Sequence, residues 1–242
     1  MLSEIRKISS LLLSVAFSSI GFIASITVTV LAAREVSSNP LFVGFPNAVG
    51  VGGAVLGTRM IYLISKNNSQ LNALAFTFLI GAFGGAIMFY SLIVDSFVML
   101  LFGAFILGIG QSATLQTRYA ASFVASEKFK ATALSLAVWF SVFGSVFGPR
   151  MVGSFSNFFE NIFNSELIVG YVIALVGMLF AASSLFIFTS KKSILRSPSN
   201  LESESNNQNS NKKNGNLLSL LLVLNHFTMV VIMSATPLHI QD

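Results

Sequence analysis

The chain has 242 residues, 54% of them hydrophobic and only 10% charged, with a mean hydropathy of +0.78. Water-soluble domains carry about a quarter charged residues, so this composition excludes a soluble domain and requires lipid as the solvent. The net charge of +5 does not make a nucleic-acid binder, because the basic residues lie between apolar runs rather than along one soluble face. The absence of cysteine excludes a disulfide framework and a thiolate metal site.

A bilayer core needs roughly 20 apolar residues per helix. On that criterion the sequence predicts spans over 9–33, 41–62, 71–93, 97–124, 131–152 and 167–189, and a seventh near 217–238. Arg6 and Lys7 ahead of the first span imitate a signal-peptide n-region, and Leu31-Ala32-Ala33 loosely imitates a cleavage site. The apolar run between them is much longer than the roughly 7–15 residues of an h-region, so it is read as a span. Asn39 and Pro40 break the chain between spans 1 and 2, and Asp95 marks the turn between spans 3 and 4. Residues 190–216 are polar and low in complexity, with no apolar face to bury; they are predicted to form a disordered cytoplasmic linker. The predicted domains are therefore an N-terminal six-helix bundle (1–189), the linker (190–216) and a seventh transmembrane helix (217–242).

Charge asymmetry orients the spans. With the N-terminus in the cytoplasm, the inner segments hold Arg6, Lys7, Lys66, Lys128, Lys130, Lys191, Lys192, Arg196, Lys212 and Lys213, and the outer segments only Arg34 and Arg150. The expected location is a plasma membrane, the inner membrane of a bacterium, crossed several times.

One octapeptide occurs twice. Gly53-Ala54-Val55-Leu56-Gly57-Thr58-Arg59-Met60 returns 91 residues later as Gly144-Ser145-Val146-Phe147-Gly148-Pro149-Arg150-Met151. Each copy lies in the second span of a block of three, and the same shift brings span 1 onto span 4 and span 3 roughly onto span 6. Three spans per repeat mount the two copies in opposite directions, the signature of the inverted repeats that build many secondary transporters. The predicted fold is all-α: a polytopic six-helix bundle made of two inverted three-helix repeats.

Several of these residues resemble the major facilitator superfamily. Gly144-x-x-x-Gly148-Pro149-x-x-x-Gly153 on span 5 is similar to that family's antiporter motif, and Arg118 followed by Tyr119-Ala120-Ala121 is similar to its arginine on helix four. The segment from Gly108-Ile109-Gly110-Gln111 to Pro149 looks like a group of poorly characterised bacterial members, as does Pro237-Leu238-His239 after Met233-Ser234-Ala235-Thr236. The family's loop between helices 2 and 3 usually carries Gly, Asp and several basic residues. Here Gly57 and Arg59 stand without a nearby acid, so the gating ion pair credited to that loop has no acidic member. The resemblance implies about twelve spans, hence a C-terminal bundle beyond Asp242, and the chain is expected to be truncated.

Arg118 is the sharpest candidate for a functional role. It lies about two turns, roughly 10 Å, inside the inner end of span 4, where an arginine costs about 2.5–3.5 kcal/mol to insert. Gln111, Thr114, Arg118 and Ser122 fall on one helical stripe. This stripe is read as the polar wall of a solute path, with Arg118 binding an anionic group or organising a gate; the alternative is an arginine that snorkels to headgroups. Asn47 and Trp139 are added to the path, although Trp139 equally suits a packed core. Gly53, Gly57, Gly144, Gly148 and Gly153 suit close helix packing, Pro149 suits a kink, and with Arg59 they form the packing and gating set. Every carboxylate falls at a rim or in a loop, which leaves His226 in span 7, or a site in the missing half, as the proton-coupling candidate, an imidazole being able to titrate near neutral pH. A structural hydrogen bond is its other reading. No cofactor, metal site or catalytic constellation is expected. The predicted function is secondary transport of a small solute by alternating access, with the span 5 motif leaning toward efflux by antiport and protons as a coupling ion. The other reading is a non-transporting scaffold, sensor or half-size subunit. Either a C-terminal bundle or a second chain is needed for transport.

Overall fold

A computed structural model describes residues 2–37, 42–163 and 165–189. The predicted linker, the seventh span and His226 lie outside the described residues. Those that are described form α1 (Leu2–Val36), α2 (Phe45–Asn67), α3 (Gln70–Ile93), α4 (Phe97–Val124), α5 (Lys130–Phe163) and α6 (Ile168–Thr189), with one 3₁₀ turn at Glu127–Phe129 and no strand. All six helices are long and apolar enough to cross a membrane. In hydrocarbon the backbone must satisfy its own hydrogen bonds, which a helix does within each segment.

Local chemistry sets the helix ends. Pro46 opens α2 in its first turn, where its missing N–H is no loss. Between α3 and α4 the chain reverses tightly: Asp95 adopts φ 50°, a left-handed conformation that Asp tolerates better than most side chains. Ser96 N–H then donates to Ser91 O at 3.0 Å, and Ser96 Oγ accepts from Met99 N–H at 3.4 Å. At the α4–α5 connection Lys130 and Glu127 form an exposed ion pair of 2.6 Å, of the kind worth at most about 1 kcal/mol.

Helices α1, α3, α4 and α6 form the centre of the bundle. α1 packs on α6 and α5, α4 packs on α3 and α2, and α3 meets α6. Exchanging α1 for α4, α2 for α5 and α3 for α6 leaves this pattern unchanged, as a two-fold repeat requires. Glycine contacts give the directions. Gly53 and Gly57 of α2 lie against Phe105, Ile109 and Ser112 of α4, in parallel order, while Gly144 and Gly148 of α5 lie against Ser19, Ile20 and Ala24 of α1, also in parallel order. Gly81 of α3 crosses Gly110 of α4, and Gly177 of α6 crosses Gly21 of α1, both in antiparallel pairs. Because α4 turns straight back into α5, the two triplets are mounted upside down relative to one another.

Three helices differ from the sequence expectation by several residues. α1 begins at Leu2 instead of 9, α2 begins at Phe45 and runs to Asn67, and α5 continues eleven residues past the predicted end at 152, to Phe163. The α5 extension is amphipathic. Phe155, Phe158, Phe159 and Ile162 recur at helical spacing, with Ser154, Asn157, Glu160 and Asn161 between them. Its mean hydropathy falls, yet its periodicity holds the helix, so Glu160 sits on a helix rather than in a loop.

Candidate functional site

The small residues of the repeated octapeptide are where α2 and α5 touch the bundle. On α2 the buried positions include Pro46, Gly53 and Gly57; on α5 they include Ala137, Gly144 and Gly148, the same three places one repeat later. Side chains would not fit at the glycines: a Cβ on Gly53 would run into Phe105 O, one on Gly57 would lie 2.7 Å from Ile109 O, and one on Gly144 2.6 Å from the Ser19 carbonyl carbon. Closer helix approach through small residues is the main source of packing energy between helices in lipid. Gly153 differs from the rest of the set. A Cβ there would meet nothing within 4 Å, so the expected packing contact is not made among the described residues.

The rest of each flanking helix is uncovered. Val55, Leu56, Thr58 and Arg59 are exposed on α2, and so are their counterparts Val146, Phe147, Pro149 and Arg150 on α5. Trp139 belongs to this open face of α5 at 66% exposure, which rules out the packed-core alternative within the described bundle. The helix runs without interruption through Pro149. Asn47 stands in the first turn of α2, half-buried and hydrogen-bonded or otherwise engaged.

The predicted stripe on α4 stays together. Thr114 is buried, and Gln111, Arg118 and Ser122 are half-buried. Beside them Leu115 and Tyr119 are exposed, so the stripe borders an open helix face. Ser122 Oγ turns back to donate to Tyr119 O at 2.7 Å. Thr114 Oγ1 and Arg118 Nε, one turn apart, are buried atoms with no hydrogen-bond partner among the described residues. Buried polar groups are paired in the great majority of cases, and an intramembrane arginine ordinarily faces a cavity or a partner.

Sequence reasoning missed the hydroxyl contacts that tie α1 to α6. Ser14 Oγ and Ser184 Oγ share a 2.7 Å hydrogen bond, and Ser14 Oγ also donates to Ser10 O at 2.7 Å. Nearer the other end the fully buried Tyr171 points its hydroxyl at Thr29 Oγ1, 3.5 Å away. The signal was present as the run of serines and threonines along α1, at Ser10, Ser14, Ser18, Ser25 and Thr29, all buried.

No family model matches the chain, and no solved structure matches it. Two curated proteins do. Over 239 residues, 95% of this chain, it is 26% identical to the uncharacterized MFS-type transporter YdeG of Bacillus subtilis (strain 168), covering 56% of that protein. Over 245 residues, 97% of this chain, it is 26% identical to the uncharacterized MFS-type transporter YddS of the same organism, again covering 56%. The chain resembles the major facilitator superfamily along nearly its whole length. It spans about half the length of these two major-facilitator relatives. A major-facilitator resemblance agrees with an all-α, multi-pass membrane bundle built of two inverted triplets.

Proposed function

We propose that this chain forms one bundle of a secondary active transporter that moves a small solute by alternating access, by efflux in exchange for a coupling ion such as the proton. The observation that carries the reading is the pair of buried polar atoms on α4, Thr114 Oγ1 and Arg118 Nε, that have no partner among the described residues and lie beside an uncovered helix face. Gln111, Thr114 and Arg118 make one wall of the solute path, and Arg118 attracts an anionic group of the solute or closes a gate. Trp139 and Asn47 flank the path on α5 and α2. The open faces of α2 and α5, each carrying an exposed arginine (Arg59 and Arg150), are where a second bundle packs, supplied by further sequence or by another chain. The glycine seams at Gly53, Gly57, Gly144 and Gly148 let α2 and α5 slide against the centre as the bundles rock. His226 is the proposed proton carrier. The protein lies in the bacterial inner membrane with its N-terminus in the cytoplasm, as the distribution of lysine and arginine supports.

The test is solute-dependent proton movement in vesicles holding the intact protein, scanned over anionic, neutral and cationic solutes. Proton release driven by an anionic solute, lost in Arg118→Ala, is the expected result. A membrane protein that moves no solute and no proton under any gradient overturns the reading.

A further inference from the structure

The α5 seam opens where the α2 seam stays shut. On α2, Ile61 and Ser65 continue the buried line past Gly57, at 1% and 5% exposure. Their counterparts on α5, Val152 and Ser156, are only half-buried. Beyond Gly148 the α5 residues on the bundle side become bulky (Met151, Phe155 and Phe159), and α5 stands off from α1 and α6. A groove of about 310 Å³ remains, bounded by those three residues with Val176 and Phe180 of α6 and Phe17 of α1. Phe17 and Phe180 pair within its lining, with ring centroids 5.5 Å apart. No polar side chain lines it. On α2 the counterpart of Phe159 is residue 68, one past the helix end at Asn67.

The contents of this groove are limited by chemistry and by size. Water needs two to four polar partners, which the lining lacks. A transmembrane helix is about 10–12 Å across, so a stretch about 15 Å long displaces more than about 1,000 Å³, over three times the space. A single hydrocarbon chain, with neighbouring carbons at about 4 Å, is about 5 Å wide. Over one leaflet, about 15 Å deep, it fills about 300 Å³, close to the volume observed.

We infer that the groove between α1, α5 and α6 is a binding site for one acyl chain of a membrane phospholipid, in the leaflet that holds the α5–α6 turn. The amphipathic end of α5 completes the site. Phe155 and Phe159 face the chain, while Asn157, Glu160 and Asn161 lie on the polar side of the same helix end, at headgroup level. The inference needs only that the chain lies in a bilayer and does not depend on what it transports.

The experiment uses the single tryptophan of these 242 residues. In the 242-residue chain Trp139→Phe gives a silent background, and Phe155→Trp then reports from the groove. Quenching is titrated with phospholipid carrying brominated acyl chains, added to detergent-solubilised protein. A second reporter, Val98→Trp, sits on α4 at 76% exposure and reports ordinary lipid contact. The expected result is that the Phe155→Trp reporter saturates at a several-fold lower lipid-to-protein ratio than the Val98→Trp reporter. Adding Val176→Phe, which fills the groove from an exposed position, should move its curve onto that of Val98→Trp while leaving the latter where it was. Coincident curves without Val176→Phe, a groove reporter that no brominated lipid quenches, or a curve that Val176→Phe leaves unchanged overturns the inference.

Discussion

Gly81 and Gly110 meet backbone to backbone: a Cβ on Gly81 would lie 2.7 Å from Gly110 Cα, and one on Gly110 2.6 Å from Gly81 Cα. The related crossing of Gly177 and Gly21 is almost as close, with a Cβ on Gly177 3.1 Å from Gly21 Cα. The obstructing atoms are main chain at both places, so no rotamer change relieves the clash and the helices themselves must separate.

Alanine at Gly81 or Gly110 should therefore destabilise the bundle by about 1–3 kcal/mol, the usual cost of overpacking. The control is Gly52→Ala, where a new Cβ meets nothing within 4 Å. Unfolding in mixed micelles, followed by helical circular dichroism, should rank Gly81→Ala and Gly110→Ala well below the control. Equal midpoints for all three would mean that the α3–α4 crossing is looser than its geometry.

The repeated octapeptide gives a second, paired test. Gly53 on α2 and Gly144 on α5 occupy equivalent places, each against backbone of a central helix. Alanine at either site should lower stability by a similar amount, within about 0.5 kcal/mol of the other. The double variant should lose the sum, since the two seams share no partner and distant sites add. Strong non-additivity would show that the flanking helices are coupled through the centre.

How much of this was legible in the sequence depends on where glycine was the only residue that fits. Gly53, Gly57, Gly144 and Gly148 all lie against backbone, so the octapeptide that carries them keeps its spacing and betrays the repeat. The third helices matched only roughly. The equivalent crossings at Gly81 and Gly177 are 96 residues apart, not 91, because α5 runs five residues further past Gly148 than α2 runs past Gly57. Asp95 was readable as a turn because a short polar side chain is one of few that accept its dihedral angle. The end of α5 was not readable from hydropathy, since Ser154, Asn157, Glu160 and Asn161 dilute the apolar average while Phe155, Phe158, Phe159 and Ile162 keep the helical period. The groove was hidden for a different reason: Phe17, Val176 and Phe180 are ordinary lipid-facing residues, and only the divergence of α5 makes them a site. On α4 the spacing of Gln111, Thr114 and Arg118 was plain, whereas the unpaired state of Thr114 Oγ1 and Arg118 Nε required coordinates.

The polar stripe leads to a third prediction. Arg118→Ala should reduce transport about 10–100-fold, the loss expected when a hydrogen bond to a charged group worth about 1.5–3 kcal/mol is removed, with insertion and helix content unchanged. Arg118→Lys keeps the charge but not the planar fork of donors, so its rate should fall between wild type and alanine. Transport assays and quantitative immunoblots of membranes read the two effects separately. Unimpaired transport by Arg118→Ala would remove the residue from the path and leave it as a snorkelling side chain.

Ser14 and Ser184 give a fourth, smaller effect. Their 2.7 Å hydrogen bond joins α1 to α6, and such contacts average about 0.6 kcal/mol in double-mutant cycles in membranes. Ser14→Ala, Ser184→Ala and the double variant, unfolded under the same conditions, should close a cycle with a coupling of that order. Each hydroxyl also has a helix carbonyl in reach, Ser10 O for Ser14 and Ala181 O for Ser184. The single variants should therefore be mild, because the remaining serine falls back on its own backbone. A coupling of zero would mean that these carbonyl bonds satisfy both hydroxyls and that the contact between the helices adds nothing.

The inverted mounting of the two triplets can be read directly from the ends of the two helices that carry the octapeptide. Met60 and Met151 occupy equivalent positions on α2 and α5, and those helices run in opposite directions through the bundle. Measured from the repeated glycines, both residues lie toward the C-terminal half of their helices, so one approaches each bilayer surface. The 242 residues contain no cysteine, so Asn68→Cys, in the turn that α2 runs into, and Glu166→Cys, in the turn that α5 runs into, each add one thiol to them. Both turn positions are exposed and each marks the surface toward which its octapeptide's helix runs. A membrane-impermeant maleimide applied to intact cells should label Glu166→Cys and spare Asn68→Cys, and inside-out vesicles should reverse the pattern. Labelling of both from one side would put the two octapeptides at the same surface. In that case the triplets would be tandem rather than inverted, and the rocking bundle proposed above would lose its structural basis.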